Sequence, residues 1–70
     1  MEKEDKMKET LIINLIAKDM FVGIIYCNKI KIIDSTTVYI YSKSELVSSI
    51  EFKRIEKIKN NIYNLYIKIH

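Results

Sequence analysis

Between Ser49 and Ile58 the chain declares a β period. Ile50 and Phe52 alternate with Ser49, Glu51 and Lys53. That two-residue spacing turns one face of a strand to a core and the other to water. Lys53 and Arg54 then interrupt the alternation, and Ile55 and Ile58 follow. The pattern predicts a strand that ends in a basic pair and turns. Size limits what such strands can build. A chain of 70 residues is a single domain, 1–70, and one of this size buries only about 60% of its unfolded surface. Small scaffolds usually add disulfides, a metal or self-association. Cys27 is the one cysteine and His70 the one histidine, so neither a disulfide nor a four-ligand zinc site can form within the chain. An efficient core or an oligomer is left, and the isoleucine-rich apolar content of 49% suits both.

Residues 1–9 carry both signs of charge and no apolar stretch of the kind a signal peptide needs. Leu11-Ile12-Ile13 and Leu15-Ile16-Ala17 are too short to span a bilayer. These features predict a cytoplasmic protein with a reduced cysteine and no membrane span. The net charge of +3 is unevenly placed. Lys53, Arg54, Lys57, Lys59 and Lys68 outnumber Glu51 and Glu56 in the last third. A basic patch is the footprint of a polyanion site, and equally that of a solvated lysine surface.

Along the chain, Met7, Leu11, Leu15 and Ile16 recur at three-to-four spacing, with Glu2, Glu4 and Asp5 near one end and Lys18 near the other. This predicts a helix over 2–18, with a strand over 10–16 as the competing reading. A β-region over 20–69 follows: Met20–Cys27 with Gly23 as a bend or bulge, an Asn28-Lys29 turn, Ile30–Ile33, a turn at 34–36, Thr37–Ser42, a turn at 43–45, Leu46–Arg54, a turn at 59–61, and an amphipathic strand over Tyr63–Ile69. No internal repeat is evident. Consecutive short hairpins point to a small closed or nearly closed barrel. The fold expected is therefore α+β, mainly β: a helix and then a bent five- to six-stranded antiparallel barrel. An exposed final strand would invite pairing with a second subunit.

No catalytic constellation is visible. Cys27 sits beside Tyr26 in an apolar run with no histidine placed to activate it. Glu51 and Glu56 lie on a lysine-rich stretch that favours ion pairing over acid–base chemistry, and one glycine cannot form a phosphate loop. The chain is not expected to be an enzyme or to use a cofactor.

The order of elements resembles the Sm-like fold, in particular the Hfq family of RNA-binding ring proteins, over residues 3–58. Ile25 to Ile32 resembles that family's first hairpin, and Phe52-Lys53-Arg54 stands where the family has Tyr-Lys-His. Lys29 replaces the family's turn glycine, and no glutamine is present. The resemblance implies a homo-oligomeric ring, a hexamer in the family's manner, that binds single-stranded RNA as a chaperone or regulator. Lys53 and Arg54 would then hold phosphate, Phe52, Tyr39 or Tyr41 would stack bases, and Lys31 would join them. Such roles make chemical sense, because single strands are held by cations and flat side chains. Phe52 shares a face with Ile50, so it is equally readable as core. The alternative is a non-enzymatic β-barrel protein-interaction module, pleckstrin-homology-like or lineage-specific, without RNA binding.

Overall fold

The computed structural model describes residues 10–69, which form six strands: β1 (Leu11–Ala17), β2 (Met20–Cys27), β3 (Lys29–Asp34), β4 (Thr37–Ser42), β5 (Glu45–Lys59) and β6 (Ile62–Ile67). No helix occurs among them. The helix expected over 2–18 is overturned from Leu11 onward, and residues 2–9 lie outside the described residues. Three isoleucines in β1 account for the outcome. Their branched Cβ atoms fit a pleated surface better than a helix, and β1 is paired on both sides, by β2 and β6. Leu11, Ile13 and Leu15 face the core, while Ile12, Asn14 and Ile16 face outward.

The strands form one sheet in the order β2-β1-β6-β5-β4-β3. All neighbours are antiparallel except β1 and β6, which run parallel. The fold is thus all-β rather than α+β. Its sheet is mixed rather than antiparallel, and open rather than closed, with β2 and β3 as edges. The barrel expected over 20–69 fails because β1 belongs to the sheet and takes the place beside β6. The final strand is consequently interior. The parallel register sets residue i of β1 beside residue i+50 of β6, and it aligns a shared motif: Ile12-x-Asn14-Leu15 lies against Ile62-x-Asn64-Leu65.

β5 joins two half-sheets. Glu45–Glu51 pair with β4, and Phe52–Lys59 pair with β6. The register shifts between Phe52 and Arg54. The break in alternation at Lys53-Arg54 is therefore a β-bulge, which bends and twists a strand without ending it; the chain turns at Asn60-Asn61 instead. The core is built across this joint. Ile13, Cys27 and Leu65 come from one half, Val38 and Ile40 from the other, and Phe52 from the junction. Each large aliphatic or aromatic side chain so buried contributes about 1.5–3 kcal/mol.

Two hairpin turns, Lys18-Asp19 and Lys43-Ser44, have positive φ at both positions, 53° and 64°, then 53° and 70°. This is the type I′ geometry that matches strand twist. Asn28 does not adopt positive φ, and Asn28-Lys29 is no hairpin turn. Instead Asn28 is a one-residue bend between β2 and β3. Its backbone N–H donates to the Tyr41 carbonyl (3.0 Å), and its Oδ1 accepts from the Lys43 N–H (2.8 Å). Gly23 lies next to a register shift in the β1–β2 pair, where Val22 is the extra residue.

Candidate nucleic-acid interface

Val38 and Ile40 point into the core, so the two-residue period turns Tyr39 and Tyr41 to the outer face of β4. Residues directly opposite in an antiparallel pair share a face. Lys31 is opposite Tyr39, and Lys29 is opposite Tyr41. The Lys29 ammonium lies 5.5 Å from the centre of the Tyr41 ring, within the range of a cation–π attraction. The two tyrosine rings meet edge to face at 6.5 Å. On the β5 side, Ser49 is opposite Tyr39 and Leu46 opposite Tyr41. Lys43, in the adjoining turn, is exposed. The face thus carries two half-buried aromatic rings edged by Lys29 and Lys31, with Lys43 at the Tyr41 end.

The other end of the face is acidic. Glu51 is opposite Thr37, and Asp34 closes the β3–β4 turn. Asp34 accepts hydrogen bonds at one oxygen from the Thr36 N–H (2.8 Å) and hydroxyl (3.1 Å). The backbone bond first, and the hydroxyl second, hold the Asp34 carboxyl below its ordinary pKa. A polyanion would therefore lie toward the Lys29–Tyr41 end.

The residues singled out from the sequence divide into three groups. Lys31 and Tyr39 are brought together on this face. Phe52 is 5% exposed and packs in the core, so its ring offers no face to a base. Lys53 and Arg54 are exposed on the other half-sheet, beside Asp19 and Tyr66, where they line a cleft of about 260 Å³. Arg54 is committed within the chain. Its guanidinium lies 4.2 Å from the Tyr66 ring centre and 3.6 Å from the Glu56 carboxylate. The Tyr66 hydroxyl in turn donates to Glu56 Oε1 at 3.1 Å. Sequence reasoning offers Tyr41 as a base platform but misses Lys29 beside it. The signal for the pair is the alternation Lys29-x-Lys31 facing Tyr39-x-Tyr41 across the turn at 35–36, legible once β3 and β4 are taken as a hairpin.

Cys27 is 3% exposed, and burial pushes its thiol pKa up against the lowering effect of a backbone hydrogen bond from Lys29. A thiol so placed is a poor nucleophile. Among the described residues no cluster of three or more His, Cys, Asp or Glu could hold a metal, and no helix is long and apolar enough to cross a membrane. Comparisons with protein-family models, curated proteins and solved structures found no match to this chain.

Proposed function

We propose that this protein is a non-enzymatic binding module whose β3–β4 face engages single-stranded RNA. The observation that carries the reading is the pairing of Lys31 with Tyr39 and of Lys29 with Tyr41 on one outer face. Cations that follow a phosphate backbone and rings that stack bases are what single-strand binding requires, without sequence readout. The excess positive charge of the chain, +3, favours the encounter.

Fluorescence anisotropy with labelled oligo-uridine, at several salt concentrations, tests it. Affinity should fall with salt, and removing both lysines (Lys29→Ala with Lys31→Ala) should flatten the slope by about 0.7 for each phosphate that is no longer neutralised. Tyr39→Ala or Tyr41→Ala should cost about 1–3 kcal/mol per stacked base. Lys53→Ala should matter less. Binding that ignores salt and survives all four substitutions would sink the reading. The alternative, a protein-binding module that does not touch RNA, draws on the exposed apolar residues of β2; it predicts no oligo-uridine binding at any salt concentration.

A further inference from the structure

The edge strand β2 is the other unusual surface. All eight of its residues are uncharged, from Met20 to Cys27. Met20, Phe21, Val22, Ile24 and Tyr26 are 67%, 60%, 57%, 44% and 64% exposed. Phe21, Ile24 and Tyr26 are opposite Ile16, Asn14 and Ile12 of β1, so they extend an outer face that is apolar apart from the hydrogen-bonded Asn14–Asn64 pair and continues through Ile62 of β6. Among the described residues β2 pairs only with β1, which leaves its other backbone rim without a strand except near Cys27, where Asn28 bonds to Tyr41 of β4. Folded proteins protect such edges with charge, proline or a covering element. Here there is neither charge nor proline.

We infer that β2 is a homodimer interface, covered by β2 of a second copy in antiparallel, two-fold pairing. Three observations select this occupant. First, a two-fold pairing brings the strand against itself, and an uncharged strand meets no like charge in any register. The opposite edge fails this requirement, because β3–β3 pairing centred on Ile30 would set Lys29 against Lys31 of the second copy. Second, the chain's own N-terminal segment is the wrong material: seven of residues 1–9 are charged, which unfits them for an apolar face. Third, the buried core holds six residues among those described, and setting β2 beside β2 of a second copy adds lateral contacts between exposed apolar side chains such as Phe21, Ile24 and Tyr26, which so small a chain lacks. Isologous interfaces of this kind close as dimers. The pairing uses the Met20–Tyr26 stretch of β2, away from the Cys27 end where Asn28 bonds to Tyr41 of β4.

Light scattering behind a sizing column tests the inference on the full chain. The expected mass is twice 8.3 kDa, and the thermal midpoint should rise with protein concentration. Val22→Lys and Ile24→Lys should each give the monomer mass and abolish the concentration dependence. Ile32→Lys, at an equally exposed site on the β3 edge, should leave the dimer intact. Amide hydrogen exchange on the unaltered protein covers the case in which the lysine variants fail to fold: β2 amides should be protected well beyond those of β3. A monomer at all concentrations, a larger ring, a dimer that survives both β2 substitutions, or β2 amides exchanging as fast as those of β3 would overturn it.

Discussion

Phe52 and Cys27 show how much one residue's meaning depends on its neighbours. The alternation of Ile50 with Phe52 gives Phe52 two readings, base platform or core, and its position at the joint of two half-sheets decides for core. Phe52→Ala is expected to cost about 3–5 kcal/mol, a large part of what so small a domain has; urea denaturation measures it. Cys27 reads as a small buried hydrophobe from its apolar surroundings, and burial is what the structure gives it. Its raised pKa and lack of access predict slow reaction with a maleimide in the native state and fast reaction in denaturant. A native rate equal to the denatured one would contradict the buried position. At Asp34 the depressed carboxyl pKa has a definite consequence. The stabilisation from its Thr36 hydrogen bonds is complete above the unfolded carboxylate pKa and is lost as pH falls through the lower folded value. Asp34→Asn should therefore flatten the acid side of a plot of stability against pH and leave the rest of its shape unchanged. An unaltered acid limb would show that the carboxylate contributes nothing.

At the scale of elements, strand periods are legible in the sequence and pairing is not. Met20–Cys27 and Thr37–Ser42 have the bounds that their composition suggests. The stretch from Leu11 to Ala17 carries a helical spacing and a β-branched composition at once, and only its two-sided pairing resolves the conflict. A break in alternation likewise has two physical meanings, an end or a bulge. At Lys53-Arg54 the apolar Ile55 and Ile58 beyond it are the cue for continuation. The site is half legible: Lys31 and Tyr39 stand out by type, but their juxtaposition depends on a register that periodicity cannot supply. The turns make a sharper prediction. Lys43 and Ser44 both occupy left-handed backbone, which costs L-residues about 1–2 kcal/mol each. Replacing them with Asn-Gly, the pair suited to a type I′ turn, should raise the thermal midpoint by several degrees, equivalent to about 1 kcal/mol. The Asn14 amide donates to Asn64 Oδ1 at 3.0 Å across the parallel pair. A double-mutant cycle on the two asparagines should return a coupling of about 0.5–1.5 kcal/mol.

For the whole molecule, the decisive pairing is between the ends of the described chain. β1 and β6 pair parallel across fifty positions, so nearly the full loop must close before that ladder contributes anything. The β4–β5 hairpin, by contrast, is closed by a two-residue turn and presents Val38 and Ile40 for early packing. Sheets dominated by such distant pairings fold slowly, on the order of milliseconds to seconds. The order of events follows from the entropy. The hairpins should form in the transition state, and β1 should dock on β6 afterwards. Ile40→Val should then slow folding, while Asn14→Ala should leave the folding rate nearly unchanged and accelerate unfolding. Stopped-flow chevrons in urea separate the two arms. If Asn14→Ala slows folding as much as Ile40→Val does, the parallel pair is already made at the barrier. The two half-sheets would then assemble around β1–β6 rather than around the hairpins that carry the lysine–tyrosine face.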